Sequence, residues 1–116
     1  MPGISIHVVD VARGQMATGM RVELYALAPA RTRITDAIVS ASGAVIEPAL
    51  GQRFDAGEYE AVLYVADYCR RTGIAVPDVP FLGVVTYRFG IADPQQHYHL
   101  PFKLTPWGYS CFRGGA

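Results

Sequence analysis

Apolar and polar residues alternate with a period of two from one end of this chain to the other, and no other feature constrains the fold as tightly. Ile4, Ile6 and Val8 alternate with Ser5, His7 and Val9; Val22, Leu24 and Ala26 alternate with Arg21, Glu23 and Tyr25. Tyr59, Ala61, Leu63 and Val65 alternate with Glu60, Val62 and Tyr64, and Val85, Tyr87, Phe89 and Ile91 with Thr86 and Arg88. Tyr98, Leu100, Phe102 and Leu104 close the series against His97, His99 and Lys103. Successive side chains of a strand point to opposite faces, so each segment offers one face to a core and one to the outside. Arg13-Gly14, Ser42-Gly43, Asp55-Ala56-Gly57 and Asp93-Pro94 read as turns between them, and Pro77 to Pro80 as a loop. Seven or eight short strands in 116 residues predict an all-β fold of two packed antiparallel sheets, a sandwich forming a single domain over residues 1–116.

One segment breaks the pattern. Ala66 to Thr72 reads as a short helix stopped by Gly73, with Arg70 and Arg71 at its negative end, and is expected as surface decoration. Hydrophobic residues at 51% against 17% charged exclude the disordered class. Ten Lys+Arg balance ten Asp+Glu, which leaves no electrostatic footprint for nucleic acid or an anionic bilayer as partner. No apolar run approaches the roughly 20 residues that span a membrane. Met1-Pro2-Gly3 runs straight into strand-like sequence, so a cytoplasmic protein is expected. Cys69 and Cys111 cannot form a disulfide framework and lack the paired spacing of a zinc knuckle; they are read as reduced thiols, one on the helix and one in a strand.

The chemistry-bearing residues follow from the same alternation. Ser5 and His7 share the side opposite Ile4, Ile6 and Val8, and His97 and His99 likewise share one side, so all three histidines point away from the core. An imidazole with a pKa near 6.5 is suited to proton transfer at neutral pH. The same residues also fit hydrogen-bonded surface positions, and His-x-His can supply two zinc ligands, although no acidic or thiolate partner adjoins them and no metal is expected. Ser110-Cys111 offers a nucleophile, but no glycine elbow surrounds it, and Cys111 reads as a small packed residue.

Four stretches together resemble the transthyretin-like hydroxyisourate hydrolase family: Ile6 to Gly14, Gly57-Glu58-Tyr59, Asp93 to Pro101, and Tyr109 to Gly115. The resemblance covers essentially the whole chain. It implies a prealbumin-type β-sandwich with one short helix, and a homotetramer whose active sites open into a channel between dimers. It also implies cofactor-free opening of the hydroxyisourate ring in urate degradation. By position it makes His7 and His99 the catalytic histidines and assigns Arg113, His97, Ser110 and Gly114 to substrate binding. The family's catalytic arginine follows an Asp-Gly turn, and the corresponding stretch here ends Ser42-Gly43-Ala44. The closing tetrapeptide, usually Tyr-Arg-Gly-Ser, reads Phe112-Arg113-Gly114-Gly115. These departures imply slower hydrolysis unless Arg33 or Arg53 fills the place. The alternatives are a different small cyclic or carbonyl substrate, or ligand binding without turnover.

Overall fold

The computed structural model describes residues 2–115. Among them the alternating segments form β1 (Gly3–Asp10), β2 (Gln15–Met16), β3 (Arg21–Ala26), β4 (Thr32–Ile38), β5 (Gly57–Leu63), β6 (Val85–Ile91), β7 (His97–Thr105) and β8 (Gly108–Ser110). One four-stranded sheet has the order β2-β1-β7-β8 and the other β4-β3-β5-β6. Ile4, Ile6 and Val8 from β1 and Leu100, Phe102 and Leu104 from β7 are buried against Val22, Leu24, Ala61 and Leu63 of the opposing sheet. Pairing is antiparallel except between β1 and β7, which run parallel with Ser5 opposite His99. A parallel pair needs a long crossover, and here the whole second sheet lies between the two strands in sequence.

Two outward positions of the second sheet turn out to be buried carboxylates, Glu23 at 3% and Glu60 at 6% exposure. Both are covered by long side chains on that face. Glu23 accepts hydrogen bonds from the hydroxyls of Tyr25 and Tyr64 and from Arg33 Nη1, while Arg31 and Arg88 donate to Glu60. Burial alone would push the Glu23 carboxyl up, but the hydrogen bonds from Tyr64, Tyr25 and Arg33 and the Arg21 charge hold it below the ordinary carboxylate range.

The helix, α1 (Val65–Arg71), is not the surface decoration the sequence suggests. Val65, Ala66, Tyr68 and Cys69 are buried, and the Tyr68 hydroxyl donates to buried Asp10 at 2.7 Å, tying α1 to the end of β1. Burial and that carboxylate push the Tyr68 phenol up to about 12. Val65 opens the helix and does not continue β5. Gly73, at φ +83°, ends the helix as predicted: Ile74 N–H donates to Cys69 O and Gly73 N–H to Arg70 O, the paired bonds of a Schellman cap. Among the described residues no helix is long and apolar enough to cross a membrane.

Cys111 lies just beyond β8, not within a strand. Its segment nevertheless keeps the β8 register along β7, re-forming the ladder where His99 and Gly114 exchange both backbone bonds at 3.0 and 2.8 Å. The gap falls beside Pro101, which has no N–H to give the ladder. Strand pairing therefore resumes beside His99.

Candidate active site

The outer face of the first sheet is a small grid. In one row His7 stands between Ala44, its antiparallel bridge partner, and Pro101. In the next, Ser5 stands beside His99, which has Gly114 on its other side; His97 lies one step further along β7. Paired residues share a face, so imidazoles from opposite ends of the chain become diagonal neighbours on adjacent strands.

Each ring is held by a named partner. His7 Nε2 lies 3.0 Å from the Ser42 carbonyl, so that nitrogen donates, and in the neutral ring Nδ1 carries the lone pair. Ser5 Oγ is 2.6 Å from His99 Nδ1 and 2.8 Å from His97 Nε2. Burial lowers the pKa of His99 below 6.5, and the charges of His7 and His97 lower it further. His99 is therefore kept neutral, the form that accepts a proton.

The turn that presents Ser42 depends on glycine. Gly43 adopts φ +87°, and a Cβ there would fall 2.6 Å from both His7 Nε2 and Met16 Sδ. Gly43→Ala is expected to destabilise the fold by about 1–2 kcal/mol through the left-handed backbone alone and to push the His7 ring aside, lowering activity. Urea denaturation and steady-state kinetics check both; an unchanged midpoint with an unchanged rate would contradict the packing described.

Not every residue expected here converges. The Arg113 guanidinium stacks 4.1 Å over the Tyr98 ring and donates to Gln96 Oε1 and the His97 carbonyl. Strand alternation puts Tyr98 on the other side of β7 from the imidazoles, and Arg113 goes with it. Ser110 pairs with Lys103, on the histidine face but four residues from His99 along β7, about 13 Å at strand rise. Gly114 is in place, though as backbone. Arg33 is bound to Glu23 and Asp36 on the second sheet and does not fill the position beside Ala44. Arg53 is exposed in the stretch after the 3-10 turn Pro48–Gly51, with no side-chain hydrogen bond to another described residue. Ser5 and the Ser42-Gly43 turn are the additions; Ser5 was signalled by its two-residue offset from His7. Among the described residues no group of three or more His, Cys, Asp or Glu is gathered to hold a metal ion.

A prealbumin-type sandwich carrying a histidine cluster on the outer face of one sheet is the class that these features define. The HIUase/Transthyretin family model matches residues 4–114, and the chain belongs to that family. It is 42% identical over 115 residues to the 5-hydroxyisourate hydrolase of Deinococcus radiodurans, covering 97% of this chain and 96% of that protein. Among solved structures it is similar to (S)-allantoin synthase, with a TM-score of 0.89 and 32% identity over 97% of this chain and 43% of that one. The 5-hydroxyisourate hydrolase of Klebsiella pneumoniae superposes with a TM-score of 0.78 over 98% of this chain and 99% of that one; at 24% identity it speaks for the fold.

Proposed function

We propose that this chain is a 5-hydroxyisourate hydrolase acting in urate degradation, with His7 and His99 as its catalytic pair. The observation that carries the reading is the placing of those two imidazoles, from opposite ends of the sequence, on one sheet face. Water attacks the ring amide carbonyl: an O–C bond forms, the C–N bond breaks, and the water proton ends on the leaving nitrogen. His99, held neutral, takes the proton, since water is too weak a nucleophile at neutral pH without a base. His7, fixed through Nε2, presents Nδ1 to orient the water. The backbone around Gly114 borders the same space.

The rings are only half-covered on one chain, and catalysis of this kind gains from excluding water. A homotetramer, built as a dimer of dimers, would close a second face over them. Two free cysteines suit a reducing compartment, in keeping with a cytoplasmic enzyme.

The test is the ultraviolet decay of freshly made hydroxyisourate with and without protein. Acceleration over buffer supports the assignment; tight binding of the substrate with no acceleration would make the chain a ligand-binding relative instead. The pH profile adds a prediction. Because His99 has its pKa lowered, it stays unprotonated to below 6.5, so the acid limb of kcat/KM should fall below pH 6.5. A limb above that value would assign the base to another group.

A further inference from the structure

Ser5 and His97 have no part in the step just described, yet they are joined to it by two short contacts. Ser5 Oγ lies between His97 Nε2 and His99 Nδ1, at 2.8 and 2.6 Å. A hydroxyl has one hydrogen, so it can donate to only one of these nitrogens; at least one ring must itself present an N–H. The tautomers of the two histidines are therefore not independent. When His99 donates from Nδ1 to Ser5 and Ser5 donates to His97 Nε2, His99 Nε2 is bare and can act as a base. When the chain of donors runs the other way, His99 Nε2 carries a hydrogen and can act as an acid.

We propose that Ser5 is a proton relay that switches His99 from base to acid within one turnover, with His97 as the temporary holder of the proton. The inference rests on the hydrolase reading for its substrate. As the water oxygen bonds to the carbonyl carbon, His99 Nε2 takes a water proton. The Nδ1 proton of His99 then passes to Ser5 Oγ while the Ser5 proton passes to His97 Nε2, leaving Ser5 unchanged and His97 as imidazolium. His99 is again neutral and now holds hydrogen on Nε2. It delivers that hydrogen to the ring nitrogen as the C–N bond breaks and, in the same step, the relay runs back: His97 returns its proton through Ser5 to His99 Nδ1, so that no imidazolate forms and the starting tautomers are restored. Every proton is accounted for: the one taken from water is the one given to the leaving nitrogen.

The surroundings favour passing the proton on. Burial and the adjacent imidazoles weaken the hold of His99 on a second proton. Of the other charged or titratable groups, His7 on β1 acts on His99; Arg113 is bonded to the His97 carbonyl from the Tyr98 side of β7, and Lys103 stands four residues beyond His99 on the histidine face.

The experiment pairs imidazole nitrogen NMR with kinetics on the whole protein, using Ser5→Ala and Ser5→Thr. In the parent, the His97 and His99 nitrogens should titrate as a coupled pair. Ser5→Ala should uncouple them and lower kcat by about tenfold to a hundredfold, up to the lower limit of what a direct acid–base residue contributes, with KM within about twofold. Ser5→Thr, which keeps the hydroxyl, should restore both readouts. Unchanged nitrogen titrations in Ser5→Ala, an unchanged kcat, or a threonine variant as impaired as the alanine one would overturn the relay. NMR needs no substrate, so a parent protein that leaves hydroxyisourate decay at the buffer rate defeats the hydrolase reading alone, whereas uncoupled nitrogens in the parent defeat the relay whatever the activity.

Discussion

Replacing His99 with alanine should lower kcat/KM for hydroxyisourate by about a hundredfold to ten-thousandfold, the range removed with a general acid–base residue. The fold should survive, because the ring lies on the outer face of its sheet and the strand is held there by backbone. His99 exchanges both its N–H and its C=O with Gly114, at 3.0 and 2.8 Å, and neither bond involves the side chain. The ring also has no share in the buried cluster formed by Tyr98, Leu100 and Phe102 on the other side of β7. His7→Ala should cost less than His99→Ala if His7 orients the water and His99 moves the proton. The double variant should fall well short of the product of the two losses, since groups that act on one water act as a unit. Kinetics on the three variants, each with its thermal midpoint, decide the matter. A His99→Ala protein within about threefold of the parent would remove His99 from the reaction, because no general base is worth so little.

How much of this could be read from the sequence differs from residue to residue, and the reason is the range of the interaction. A period of two is local, so it revealed the sandwich, the core face of each strand and the outward position of all three histidines. The Gly73 stop was legible for the same reason: a left-handed residue after a helix is a property of the chain within one turn. The register of β1 on β7 was not, because nothing within either strand states which residue faces which across about ninety positions of sequence. Ser5 could thus be seen to share a side with His7, but not to bridge His97 and His99. Alternation puts Glu23 and Glu60 on the outer side but does not show that they are covered: beside Arg21 and Tyr25 of β3 itself, the covering side chains are Arg31 just before β4, Arg33 on β4, Arg88 on β6 and Tyr64 just after β5. Arg113 was expected at the imidazoles on the strength of its place in a motif, yet the break beside Pro101 and the stacking on Tyr98 set its direction. A motif conveys which residue is near a site; only the strand's face decides whether its side chain enters it.

Alanine 44 offers the opposite kind of change, a gain. It bridges His7 across the edge of the first sheet, and its backbone is fixed by three bonds: Ser40 N–H to Ala44 O at 2.9 Å, Val45 N–H to Ile6 O at 3.0 Å and Val8 N–H to Gly43 O at 2.8 Å. A side chain grown from this position would stand in the His7 row, half-exposed, with the length of an arginine sufficient to reach over the neighbouring imidazole. Attack by water places negative charge on the carbonyl oxygen, and a guanidinium would meet that charge with a planar fork of donors. One such donor is worth about a hundredfold to a thousandfold where it has been removed from an enzyme, so Ala44→Arg should raise kcat by about tenfold or more, allowing for imperfect placement of an added group. Ala44→Lys supplies the charge without the fork and should gain less. The added cation should also drive the His99 proton off at still lower pH, moving the acid limb of kcat/KM downward, the direction expected for like charges. Kinetics and pH profiles of the arginine, lysine and glutamine variants separate these effects: glutamine adds donors without charge and should leave the acid limb where it is. A folded Ala44→Arg protein with unchanged kcat and an unshifted limb would mean that the oxyanion is already met by another group, and that the loss of arginine at this position was compensated within the assembled enzyme.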